Sequence, residues 1–152
     1  MKIIPFEERF ARDFKRLNMD WLESYKLFEP ADLKHLDTPL QSIIDPGGRI
    51  LMAIEDDTVV GTCAIIVKNK NVVELAKLAV SKEAQGKGIG RKLAIESIKQ
   101  AKDMGARTVN LVSNSKLSTA VRLYESLGFE YAPVPDDTDY ETADVYMEFK
   151  IS

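Results

Sequence analysis

The residues best able to do chemistry lie close together in one stretch. From Glu74 to Leu93 the chain reads ELAKLAVSKEAQGKGIGRKL, in which an apolar run ends at Val80 and a polar segment runs from Ser81 to Ala84. Glycines at 86, 88 and 90 then lead into a helical pattern from Ile89. A strand, a turn and a helix start in this order gather backbone N–H groups. Glycine removes the Cβ that would keep them apart, and a helix N-terminus adds about half a positive charge. Such a turn suits a phosphate or pyrophosphate. Two other glycine loops do not fit. A P-loop needs Lys followed by Ser or Thr, whereas Lys87 is followed by Gly88, and the dinucleotide fingerprint G-x-G-x-x-G does not match glycines at 86, 88 and 90. A purely structural turn is the competing reading.

A second set of residues lies downstream: Ala120, Tyr124 and the pair Gly128-Phe129, spaced as A-x-x-x-Y-x-x-x-G-F. With Gln85-x-x-Gly88-x-Gly90 behind a strand ending at Val80, this pattern resembles the GNAT superfamily of N-acetyltransferases. The resemblance implies an α/β (α+β) fold, the GNAT acyl-CoA N-acyltransferase fold, with a mixed, mostly antiparallel sheet and helices on both faces. It also implies acetyl-CoA (coenzyme A) as acyl donor, its pyrophosphate held by Gln85, Gly86, Lys87, Gly88, Ile89 and Gly90. Arg91 falls in the first helical turn, where a cation opposes the helix dipole unless an anion occupies that end; a solvated side chain is the alternative.

The chemistry implied is acetyl transfer to an amine, which needs a neutral nitrogen, a polarised thioester carbonyl and a stabilised leaving thiolate. By the resemblance, the backbone of Leu78, Ala79 and Val80 bonds the pantetheine arm and the thioester oxygen. A local break in pairing with the strand at Thr108 to Val112 opens the cleft. Tyr124 matches the tyrosine whose hydroxyl meets the departing sulfur, with a core tyrosine as the alternative. Reference pKa values near 10 for Tyr and 8.5 for a thiol make full proton transfer uphill by roughly 2 kcal/mol, so hydrogen bonding to the thiolate is the better description. Glu74 lies eleven residues before Gln85, the spacing of the general-base glutamate in the histone acetyltransferase branch; binding the substrate ammonium or forming an ordinary ion pair are alternatives. The family's asparagine three residues before the helix alanine is Leu117 here. Asn114, six before Ala120, is therefore the candidate for a contact with pantetheine or substrate.

Bulk properties narrow the field. A chain of 152 residues suits a single domain, 1–152, and can bury roughly 68 to 70% of its unfolded surface without metal or disulfide staples. The hydrophobic fraction of 45% contains no run near the roughly 18 residues a membrane span needs, and MKIIPFEERFAR is not a signal peptide, so a cytoplasmic protein without membrane contact is expected. One cysteine, Cys63, and one histidine, His35, exclude a disulfide and the common metal motifs and disfavour a Ser/His/Asp triad, so no metal is expected. A net charge of −3 with scattered cations argues against nucleic acid as partner.

The elements that must position these groups follow from periodicity. Lys2 to Phe6 suits a strand and Glu7 to Tyr25 a helix, with Phe10, Phe14, Leu17, Trp21 and Leu22 on its inner face. Glu29 to Asp45 is polar, with room for a short helix from Ala31. Arg49 to Glu55 and Thr58 to Val67 read as a hairpin turned at Asp56-Asp57; Gly61 marks a bulge or close approach, and Cys63 is a small core residue. Val72 to Val80 is assigned as a strand on Val72-Val73 and the resemblance, although Glu, Leu, Ala and Lys favour helix. Strict alternation then puts Glu74, Ala76, Leu78 and Val80 on one face and Val73, Leu75, Lys77 and Ala79 on the other. Helices at Lys87 to Met104 and Ser115 to Leu127, each ended by a glycine, flank a strand at Arg107 to Val112, and Phe129 to Ala132 and Val145 to Ile151 complete the strands.

Asp20 to Asp45 and Asp136 to Asp144 would flank the acceptor in this fold, and both are acid-rich. A primary amine acceptor is therefore expected, either a small cationic molecule such as a polyamine or a peptide amine. Open sheet edges suit a homodimer. A non-catalytic acyl-CoA sensor and a nucleotide-binding regulatory domain are the rival readings.

Overall fold

The computed structural model describes all 152 residues. Seven strands form one sheet in the order β1-β2-β3-β4-β5-β7-β6. They are β1 (Lys2–Pro5), β2 (Arg49–Glu55), β3 (Thr58–Val67), β4 (Val72–Val80), β5 (Thr108–Ser113), β6 (Glu130–Ala132) and β7 (Val145–Lys150). Every neighbouring pair is antiparallel except β4 with β5. The helices are α1 (Ala11–Ser24), α2 (Leu33–Asp37), α3 (Ile89–Asp103) and α4 (Ser118–Leu127).

Two apolar layers sandwich the sheet. Phe14 and Leu17 of α1, with Leu36 and Ile43, pack on Ile50, Met52, Ala64 and Ala79. On the opposite face Leu93, Ala94 and Ala101 of α3 and Val121 and Tyr124 of α4 pack on Leu51, Cys63, Ile65, Val73 and Leu75. β4 lies between both layers. This explains why it is a strand despite its helical composition: burial on two sides of a central strand outweighs propensities of a few tenths of a kcal/mol per residue.

Helix starts differ from the sequence expectation. α1 begins at Ala11, after a 3-10 turn at Glu8–Phe10; α3 begins at Ile89 rather than Lys87; α4 begins at Ser118 rather than Ser115. The cause at α3 is Gly88, which caps the helix in the left-handed region at φ 79°. At α4, Ser115 is held outside the helix by Asp144, which accepts from its amide and its hydroxyl. Gly61 fulfils both of its expectations. The β2–β3 register shifts beside it, and a Cβ there would lie 3.0 Å from Leu93 and 3.1 Å from Ile89, so the first turns of α3 rest close on β3.

Cys63 is fully buried, and burial pushes its thiol up to about 12, against hydrogen bonds with Ser97 and Ala64. It is an inert packing residue. His35, whose Nδ1 lies 3.2 Å from Ser42 Oγ, is lowered to about 4 by burial and by the charges of Lys77, Lys34 and Lys68, with Asp139 opposing. The unfolded chain therefore binds a proton near 6.5 and the folded chain only near 4. This group's contribution to stability is present above pH 6.5 and lost progressively as pH falls toward 4. Urea unfolding across that window is expected to show a decline that His35→Asn makes shallower; equal slopes in both proteins would exclude His35 as its cause.

Candidate active site

β4 and β5 part company early. Their pairing extends only from Val72, Val73 and Glu74 to Thr108, Val109 and Asn110, so from Leu75 onward β4 has no strand on that side. On its other edge β4 stays paired with β3 up to Val80, with a register shift between Ala76 and Ala79. Lys77 lies in this shift with φ 54°, the left-handed region that costs a non-glycine residue of order 1–3 kcal/mol. The result is a wedge with the backbone of Leu78, Ala79 and Val80 along one wall.

The bulge also overturns the expected faces of β4. Val73 and Leu75 pack toward α3 and α4, and after the irregularity so do Leu78 and Val80, whereas Ala79 packs toward α1. Lys77 is turned to the α1 side and lines the same cavity as Glu74. The two were expected on opposite faces because alternation was carried through a position that inserts one residue.

At the far end of β4 the chain forms a loop of free donors. Gly86 and Gly88 adopt φ 83° and 79°, and a Cβ on either would meet nothing within 4 Å. The amides from Gly86 to Arg91 have no acceptor in the protein; the first backbone bond of this end runs from Lys92 N to Gly88 O. The Gln85 side chain donates back to Val80 O at 3.2 Å and closes the loop. Lys87 lies 3.6 Å from Glu55, and Arg91 donates to Ser126 of α4 at 2.9 Å. This loop can hold a multiply charged anion.

A cavity of about 120 Å³ occupies the wedge between these features and the α1 face. Tyr124, Glu74, Leu78 and Asn114 all line it, with Trp21, Asp32, Lys77 and Tyr140. Tyr124 is 7% exposed, and its ring packs on Phe129 at 5.7 Å. Its hydroxyl makes no hydrogen bond within the protein, and burial, with Cys63 adding, holds its acidity well below that of a free phenol. It is a proton-bearing donor at the cleft. The Glu74 carboxylate is 3.4 Å from the more exposed Lys68, a pair at the rim that can open. Asn114 donates to Thr142 O and accepts from Lys116 N, so its side chain ties the start of α4 to the segment before β7.

The sequence reading missed the polar wall of this cavity. Lys77 Nζ lies 2.5 Å from Asp32 Oδ1, 3.1 Å from the Tyr140 hydroxyl and 5.0 Å from the centre of its ring. Burial raises the Tyr140 phenol, against the pull of Lys77. Asp32 also accepts from Glu29 N, and the Glu29 carboxylate accepts from the amides of Glu141 and Thr142 and from the Thr142 hydroxyl. Burial tends to raise Glu29, but these bonds and Lys77 outweigh it and leave the carboxyl below its ordinary range. The one signal in the sequence was Lys77 itself, a lone cation between apolar residues on a strand.

The profile described as Acetyltransferase (GNAT) family matches residues 13–129. The chain belongs to this family. Among GNAT relatives, the uncharacterised N-acetyltransferase YjgM of Escherichia coli is 30% identical over 125 residues, which is 80% of this chain and 74% of that protein. A GNAT-family acetyltransferase structure from Staphylococcus aureus superposes with a TM-score of 0.90 at 19% identity, covering 99% of both chains. The PaiA N-acetyltransferase of Thermoplasma acidophilum, solved in complex with coenzyme A, superposes at 0.77 with 20% identity, covering 99% of this chain and 100% of that one. As a GNAT protein the chain is an N-acetyltransferase, and its mixed sheet with helices on both faces is the fold of its relatives. No helix is long and apolar enough to cross a membrane.

Proposed function

We propose that the protein transfers an acetyl group from acetyl-CoA to the primary amine of a small cationic molecule or peptide. The observation that carries this reading is the convergence of Tyr124 and Glu74 on one cavity at the β4–β5 fork. The relative solved with coenzyme A supports the donor, and so does the loop at Gly86 to Gly90, whose free amides and open glycines fit a pyrophosphate. Acetyl-CoA, when bound, supplies an activated acetyl thioester.

The chain's own residues divide the remaining work. The amides of Gly86, Lys87, Gly88, Ile89 and Gly90, with Arg91 beside them, hold the pyrophosphate, while Gln85 shapes the loop through its bonds to Lys82 O and Val80 O. The unpaired edge at Leu78, Ala79 and Val80 orients the pantetheine arm and polarises the thioester oxygen through backbone N–H groups. Glu74 takes the proton that the acceptor ammonium must lose, directly or through water. Tyr124 donates its hydroxyl proton in a hydrogen bond to the departing sulfur. Asn114 contributes by fixing the α4 entrance rather than through a free amide.

Gly88→Val tests the loop. The residue would have to stay left-handed, at a cost of roughly 1–3 kcal/mol, or lose the alignment of its amides. We expect the Kd for acetyl-CoA to rise about tenfold or more, with a fall of several degrees in melting temperature that leaves the protein folded at the assay temperature. An unchanged Kd by calorimetry would remove the loop from donor binding. The function itself is tested by acetyl-CoA-dependent thiol release, with hydrolysis subtracted, across amino acids, simple amines, diamines, aminoglycosides and peptides. Transfer to one class is expected; binding of acetyl-CoA without transfer to any would overturn the reading.

A further inference from the structure

The acceptor cavity contains an ammonium-binding arrangement that the protein fills itself. A carboxylate, a tyrosine hydroxyl and the face of the same ring surround Lys77 Nζ at 2.5, 3.1 and 5.0 Å. Carboxylate and aromatic face together are what a protein uses to bind an alkylammonium. Both partners of the ion pair are buried, with side-chain exposures of 7% for Lys77 and 4% for Asp32. Two carboxylates line the cavity, and one of them, Asp32, is already taken by Lys77. Glu74, paired only with a half-exposed lysine at the rim, is the carboxylate left for a ligand.

We propose that Lys77 is a specificity-determining residue that occupies the place of a second substrate ammonium, so that the cavity takes amines carrying a single positive charge and rejects diamines and polyamines. This rests on the reading of the cavity as the acceptor site and narrows it. A monoamine places its nitrogen at Glu74 and its apolar body among Trp21, Leu22 and Leu78. A diamine brings its second charge against the fixed ammonium of Lys77, where like charges repel in a region of low dielectric.

The test compares kcat/KM for the diamines from 1,3-diaminopropane to 1,5-diaminopentane with that for monoamines of matched length. The wild-type protein is expected to favour the monoamine. Lys77→Met leaves Asp32 unpaired and is expected to shift the ratio toward the diamine by roughly tenfold or more. The double variant Lys77→Met/Asp32→Leu removes both charges, keeps the site filled, and is expected to show no such shift. Melting temperature gives a second readout: a diamine, but not its monoamine, should stabilise Lys77→Met. A wild-type preference for diamines, an unchanged ratio in Lys77→Met, or an equal shift in the double variant would each overturn the proposal. Failure of the wild-type protein to acetylate any amine would instead overturn the proposed function.

Discussion

Tyr124→Phe is expected to lower turnover about 100-fold or more while leaving the affinity for acetyl-CoA nearly intact. The substitution removes one oxygen from a ring otherwise held by apolar neighbours, Phe129 among them, so packing survives. The missing atom makes no hydrogen bond within the protein, and the loop proposed to hold the pyrophosphate lies beyond the C-terminal end of β4. Ground-state binding therefore loses little, whereas the leaving thiolate loses its donor. Burial keeps the phenol protonated across the working range, so the pH dependence of the wild-type protein should owe nothing to Tyr124. Steady-state kinetics with calorimetric acetyl-CoA binding separates the two effects. Turnover equal to the wild type would leave Tyr124 a core residue only.

Glu74→Gln is expected to have the second-largest effect, a loss of about 100-fold in kcat/KM for the amine near neutral pH. Glutamine keeps the size and much of the hydrogen bonding but cannot take a proton. The carboxylate faces the cavity and is only lightly held by Lys68 at 3.4 Å. If Glu74 is the base, the rate should recover as pH rises and the free amine becomes abundant, and the pH profile should lose the limb that the carboxylate imposes. If Glu74 serves only to bind the ammonium, KM should rise with kcat preserved. An unchanged rate and pH profile would remove Glu74 from the mechanism.

The difference between what the sequence made legible and what it did not follows a physical line. The glycine turn was readable because left-handed φ and an uncovered helix start demand particular residues at Gly86 and Gly88. The helices were readable where one face is apolar, as at Phe14, Leu17 and Leu93. The bulge at Lys77 was not, since a β-bulge is set by the pairing of two strands and lysine carries no mark of positive φ. The wall built from Glu29, Asp32, Tyr140 and Thr142 joins segments more than a hundred residues apart, and local periodicity contains no such information. Acidic composition is limited for a related reason: a count of carboxylates does not say that Asp32 is bonded to Lys77 while Glu74 faces the cavity.

The inserted residue in β4 acts as a frameshift in the strand. Upstream of Lys77 the even-numbered Glu74 faces the cavity, and downstream Leu78 and Val80 pack with the layer of α3 and α4, so one short strand is read in two phases. Removal of the one inserted residue would put Ala76 and Ala79 two positions apart on the same face and restore a regular ladder with β3, at the cost of the local bend in the strand.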